Sequence, residues 1–438
     1  MPNLHFGLEG FAPLLLYLAM WTAFAASIFW RPAVGVYLLA LTLPLQTGRY
    51  RLFDLPLGSH FLDILLLGTI IGLKLKNEDV IPRSPVNGLL LLFAIYCYLS
   101  LWQGSLFMSA PLPIDLADPR LSDWKNYVEM FLFAPVVAAA LKDRRQVTWL
   151  LVTICLSMLV VNRSYYSLMS ERNLAHFNYD VRDDGLVGYA GVNGLAALEV
   201  MFSAFMLGMY CHVTSLRARL AILVLLATSA YCLLFSFSRG GYVAMLAVLL
   251  VIGILRKRSL LVLLLALLVS WQTVLPTAVQ ERILMTTGDA QEGAMLDSSA
   301  QERLSLWQDA FDLLKQNPVT GTGFHTYEYL GRVGPYRDTH NYYVKVLVET
   351  GFVGLLMFLW LLLRLARMGL RLFRTAQDGF WSGVGLGFFA LVCGAVVVNF
   401  FGDRWTYQQI DGVIWVLLGC VIRGQMLVDA APGSAPLS

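Results

Sequence analysis

The chain has 438 residues, of which 58% are hydrophobic and only 14% charged, and its mean hydropathy is +0.64. So much apolar side chain exceeds what one soluble core can bury, which excludes an ordinary soluble protein and points to a bilayer. Thirty-two Lys and Arg stand against 29 Asp and Glu, for a net charge of +3, a balance that leaves no electrostatic footprint for nucleic acid.

No Lys or Arg precedes Arg31, so the basic start of a cleavable signal peptide is missing, although Ala23-Phe24-Ala25 resembles a cleavage site. The first apolar run is therefore expected to remain as a helix. A spanning helix needs roughly 20 mostly apolar residues. About thirteen runs approach that length, centred near Leu18, Leu39, Leu66, Phe93, Phe133, Ile154, Met201, Leu226, Leu246, Leu264, Phe352, Phe389 and Trp415. The run around Leu39 is short and lies between Pro32 and Pro44. The fold class expected is an all-α polytopic membrane protein with 12 to 13 spans.

Basic clusters occur at Lys74, Lys76 and Arg83, at Lys142, Arg144 and Arg145, at Arg217 and Arg219, at Arg256 to Arg258, and at Arg364, Arg367, Arg371 and Arg374. They fall in every second loop, and short basic loops are retained in the cytoplasm. The long polar stretches 46–60, 104–125, 163–189 and 276–340 then lie outside, with the N-terminus outside and the C-terminus inside. In the longest of them, Ser299-Ala300-Gln301-Glu302 caps a helical pattern of Leu304, Trp307, Phe311 and Leu314, an amphipathic helix expected on the membrane or on the bundle. The last residues, 428–438, are rich in Ala, Pro, Gly and Ser and read as a disordered tail. The six cysteines sit in or beside apolar runs without metal-type spacing, as small core residues.

Three constellations could carry chemistry, all on the outer side. Ser238-Arg239-Gly240-Gly241 opens a helix, where free amides and a guanidinium suit an anion; a tight turn with a snorkelling arginine fits the same residues. Arg303 starts the amphipathic helix before Asn317-Pro318 and Gly321-x-Gly323, and by itself reads more readily as a solvated helix residue than as a ligand. Asp338-Thr339-His340-Asn341 runs into a long apolar helix. An imidazole there suits a general base near neutral pH, or a plain interfacial histidine among membrane-belt tyrosines. Glu349 lies more than two helical turns further on, where an acid is costly and needs a partner. No His-Glu-x-x-His, paired Asp-x-Asp or Cys-x-x-Cys is visible, so neither a metal nor another cofactor is expected.

In these residues, taken in order and spacing over roughly 220–365, the chain resembles the O-antigen ligase and O-antigen polymerase superfamily of bacterial membranes. The resemblance divides the chain into N-terminal helices (1–219), a ligase-like core (220–365) with the periplasmic loop 276–340, and C-terminal helices (366–427). It implies transfer of a glycan from undecaprenyl pyrophosphate to an acceptor at the periplasmic face of the inner membrane. By the same resemblance His340 is the base, and Arg239 and Arg303 clamp the pyrophosphate. His325, Tyr327, Arg332, Arg337, Asn341 and Glu349 are further loop and helix candidates. The acceptor expected is the lipid A core; a growing glycan chain would make a polymerase. The thirteen runs exceed by one the twelve spans of the ligases, so either Leu39 marks an incomplete span or a helix has been added. A transporter for the same lipid-linked glycan is the alternative of another class. It would show broken helices in matching halves and charges near the midplane.

Overall fold

The computed structural model describes residues 12–45, 52–115, 117–285, 298–331 and 339–430. Among them are sixteen α-helices and no strand, and the protein is an all-α, multi-pass membrane protein. The N-terminal helices are α1 (Ala12–Phe29), α2 (Ala33–Thr42), α3 (Phe61–Leu75), α4 (Asn87–Phe107), α5 (Pro119–Ala140) and α6 (Arg144–Ser170). Then come α7 (Gly191–Tyr210), α8 (Leu216–Phe235), α9 (Arg239–Leu255) and α10 (Ser259–Val274). Three shorter helices, α11 (Thr277–Leu284), α12 (Ser298–Leu314) and α13 (Thr326–Tyr329), precede α14 (Tyr342–Thr375), α15 (Gly379–Val398) and α16 (Gln408–Asp429).

Each apolar run of the sequence carries a helix. Among the described residues eight helices are long and apolar enough to cross a bilayer, and nine if α10 and α11, bent by 106°, count as one span. The run around Leu39 is not a full span: α2 has 10 residues, a rise of about 15 Å against the ~30 Å of a hydrocarbon core. Pro32 precedes it and Pro44 follows, where proline limits helix extension.

Asp118 caps α5, Asp143 caps α6 and Asp378 caps α15, each side chain accepting a backbone N–H of the first turn. In the bundle α15 packs against α7, α9, α14 and α16. It touches α7 backbone to backbone: a Cβ on Gly208 would lie 2.3 Å from Gly387 Cα, the small-residue contact that lets membrane helices approach. One end of the bundle holds the basic loops, tied by Lys142–Glu78 and by Arg144–Asp378 at 2.7 Å. The other end gathers the long polar stretches, tied by Lys125–Asp63 at 2.7 Å, the Tyr329 hydroxyl to Asp123 at 2.8 Å and His176–Glu281 at 2.7 Å.

Helix α12 packs on the bundle through part of the expected pattern, with Leu314 buried and Trp307 packed on the same cluster. Leu306, Ala310 and Leu313 are buried against Tyr327, Val344 and Val348, whereas Leu304 and Phe311 remain 50% and 43% exposed.

The candidate active site

Helix α14 is broken. Gly351 has φ 66° and ψ −170°, a region open almost only to glycine, about 15 Å along the helix from its first residue. The break frees two carbonyls and two amides inside the bundle, where unsatisfied backbone is costly. Loop 317–323 satisfies all four. Thr322 N–H donates to Val348 O (2.9 Å) and Gly323 N–H to Glu349 O (2.7 Å); Phe352 N–H donates to Pro318 O (3.0 Å) and Val353 N–H to Val319 O (3.2 Å). Helix α4 holds the loop from the other side. Gln103 donates to Gly321 O (2.6 Å), Ser100 accepts the Phe324 N–H (3.0 Å) and the Tyr96 hydroxyl reaches Thr350 O (2.6 Å). The motifs Asn317-Pro318…Gly321-x-Gly323 and Glu349-x-Gly351 are thus two halves of one joint.

His340 stands at the outer end of the same helix, half-buried, at φ 51°. Its neighbours are fixed on both sides. Trp307 Nε1–H donates to Thr339 O (2.9 Å), the Thr339 hydroxyl to Asn341 O (2.7 Å), and Asn341 caps α14 by accepting the Tyr343 N–H (3.0 Å) and the Val344 N–H (3.3 Å). Arg303, half-buried, lies one turn before Trp307 on α12, so that helix carries Arg303 to the corner where His340 sits.

Arg239 is the first residue of α9, with Ser238 as its cap; Ser238 Oγ accepts the Gly241 N–H (3.3 Å) and donates to Asn193 Oδ1 (2.7 Å). A Cβ on Gly240 would lie 2.5 Å from the Phe401 ring and one on Gly241 2.9 Å from Ala196. Both glycines thus serve packing against neighbouring helices. Phe401 ends the turn Asn399–Phe401, whose Phe400 stacks on Tyr343 at 4.5 Å. That turn bridges the start of α9 to the start of α14.

The remaining sequence candidates divide. His325 and Glu349 come together in a small buried cavity lined also by Lys345, Tyr127 and Thr406, which His340 does not line. Tyr327 is fully buried, its hydroxyl donating to Leu306 O (3.2 Å), and Asn341 is a helix cap. Arg332 and Arg337 lie outside the described residues. Among the described residues no three His, Cys, Asp or Glu side chains are grouped to hold a metal, and the six cysteines are free.

Sequence reasoning missed a buried ion pair, Lys345 Nζ to Asp403 at 2.9 Å, whose partners are 58 residues apart. Replacing Lys345 with Met removes the cation from beside a buried carboxylate and is expected to cost about 3–5 kcal/mol. The purified variant should melt at lower temperature, and Lys345→Met/Asp403→Asn, which keeps the cap on Trp405 and Thr406, should recover most of the loss. An unchanged midpoint in the single variant would show the pair to be dispensable. Also missed were Arg182, Arg282 and Arg404, which surround the start of α7 and α9. Arg404 donates to Ala190 O (3.0 Å), Arg282 to Phe237 O (3.3 Å), and Arg182 to Asn193 Oδ1 (3.5 Å). A signal for them existed: arginines on the side opposite the basic loops run against the usual charge bias of membrane proteins.

A multi-pass helical bundle with basic and imidazole side chains gathered at one end defines a membrane protein with its polar site at a single surface. Residues 194–359 match the model of a family described as O-Antigen ligase. The matched segment contains Arg239, Arg303, His340 and Glu349 and is similar to that family. No curated protein matches the chain.

Proposed function

We propose that the protein transfers a glycan from undecaprenyl pyrophosphate to the lipid A core at the periplasmic face of the bacterial inner membrane. The observation that carries the reading is His340, fixed between Thr339 and Asn341 at the mouth of α14 within the matched segment. In this reaction an acceptor hydroxyl attacks the anomeric carbon. His340 takes the hydroxyl proton as the new C–O bond forms, and the bond to the diphosphate breaks, its electron pair leaving with the phosphate oxygen. Arg239 and Arg303 hold that charge as it develops.

A transporter is favoured by one feature, the discontinuous α14. Another weighs against it: loop 317–323 closes the break instead of leaving it to line a pathway.

The test is a gel profile of glycans from cells lacking the protein, complemented with the native chain. Long glycan restored on lipid A is the expected result. Restored chain length on the carrier, with lipid A unchanged, would make the protein a polymerase, and an unchanged profile would remove the transfer reading.

A further inference from the structure

The basic end of the bundle carries cations that the fold does not neutralise. Arg217 and Arg219 open α8, and Arg256, Lys257 and Arg258 form the turn from α9 to α10. Tyr210, the last residue of α7, joins the two groups. The Arg219 guanidinium lies 5.1 Å from the centre of its ring and the Lys257 ammonium 4.6 Å. Among the described residues none of the five cations is paired with a carboxylate. Acids at this end serve other partners: Glu78 holds Lys142, Asp378 holds Arg144 and Asp429 holds Arg371. The helix starts add to the excess. Neither Ser215 before α8 nor Arg258 before α10 caps its helix with a side-chain hydrogen bond, and the amide end of a helix is partly positive and disfavours cations. Like charges gathered in this way are held at a cost unless an anion joins them.

The same helices turn apolar faces away from the protein. Helix α10 has no buried residue and packs mainly on α9, which touches α8 only lightly. Leu216, Leu220 and Val224 follow one stripe of α8, and Val262, Leu265 and Val269 follow one stripe of α10, all of them exposed. Each stripe begins beside the cations, since Leu216 adjoins Arg217 and Val262 lies one turn past Arg258. Burial, and then the charge of Arg256, hold the His212 imidazole below its ordinary value, so the field of the cluster reaches the end of α7 as well. An apolar stripe that ends on a group of cations has the two-part chemistry of a phospholipid, with acyl chains along the helix and phosphate at its end. Short basic loops stay in the cytoplasm, which sets this end in the cytoplasmic leaflet.

We propose that the start of α8 and the turn between α9 and α10 form, around Tyr210, a binding site for the headgroup of an anionic phospholipid, whose acyl chains lie on the exposed faces of α8 and α10. Arg219 and Lys257, held on the Tyr210 ring, are placed to take phosphate oxygens, the guanidinium two at once and the ammonium as a point charge. Arg217, Arg256 and Arg258 supply the surrounding positive field. A zwitterionic headgroup brings its own ammonium to the same place and is repelled, so the site selects by net charge. It stands at the end of the bundle opposite His340 and is independent of the transfer reading.

The test measures which lipids stay on the full chain, by native mass spectrometry after release from nanodiscs of equal parts phosphatidylglycerol and phosphatidylcholine with identical acyl chains. Phosphatidylglycerol is expected to be enriched about tenfold among the lipids bound to the native chain. Arg219→Gln/Lys257→Gln should bring the ratio to within about twofold of even. Arg367→Gln/Arg374→Gln, which removes two exposed cations from the same end of α14, should leave the ratio as it is in the native chain. Should the first double variant fail to fold, Arg217→Gln/Arg256→Gln decides, since both side chains are exposed; its ratio is expected to fall by about threefold. Equal losses in the α8–α10 and the α14 variants would reduce the effect to general charge and overturn the site. An even ratio in the native chain would overturn it too, as would enrichment that survives the loss of Arg219 and Lys257. Release of a dimer without bound lipid would give the exposed faces to a second copy of the chain and overturn the lipid.

Discussion

Membranes carrying His340→Asn should hold the protein at the native level and transfer no detectable glycan. The choice of asparagine follows from the backbone: His340 sits at φ 51°, a left-handed conformation that asparagine tolerates better than most residues. Alanine at the same place would add strain to the loss of the imidazole, and the two effects could not be told apart. Neighbouring anchors do not involve the His340 side chain: Trp307 to Thr339, Thr339 to Asn341, and the Asn341 cap. The variant should therefore keep its melting temperature within about 1 °C per 1 kcal/mol of residual strain. A positioned base contributes about 10²- to 10⁴-fold in rate, which removes product from a gel. Native-like transfer by this variant, with protein levels matched, would take the base away from His340 and leave the clamp arginines to carry the site.

The membrane class was legible because it depends on composition and run length alone. Even the incomplete span could be suspected from Pro32 and Pro44, since proline acts locally. The places of Arg239 and His340 at helix starts were legible for a related reason: each adjoins a capping residue, Ser238 and Asn341. Contacts between distant segments were not. Lys345 and Asp403 each look like an isolated charge at a membrane boundary, and nothing in either neighbourhood names the other. Helix α12 was legible in part: its hydrophobic periodicity identified a helix whose Trp307 and Leu314 pack inward, whereas Leu304 and Phe311 stay exposed and Leu306, Ala310 and Leu313 complete the buried face.

The glycine motifs show most clearly what spacing conceals, and they yield the second large expectation. Gly321-x-Gly323 and Glu349-x-Gly351 read separately as turns, whereas in the fold they close one break with four backbone hydrogen bonds. A Cβ on Gly351 would lie 2.2 Å from Val319 O, on a residue whose φ and ψ no other side chain adopts comfortably. Relieving the clash separates loop from helix and exposes carbonyls and amides with no water to receive them. Gly351→Ala should thus destabilise by about 3 kcal/mol or more, from strain and from lost hydrogen bonds together. The comparison is Gly331→Ala: its φ is 60°, but a Cβ there meets nothing within 4 Å, so only the conformational cost of about 1 kcal/mol applies. Thermal unfolding of the two purified variants, followed by loss of the monodisperse peak, separates the cases. If both melt alike, the joint between loop and broken helix does not hold the site. If Gly351→Ala alone collapses, and with it transfer, then the loop that carries the chain from Arg303 to His340 is anchored in the middle of α14, and the precision of the outer site is set by a joint deep in the bundle.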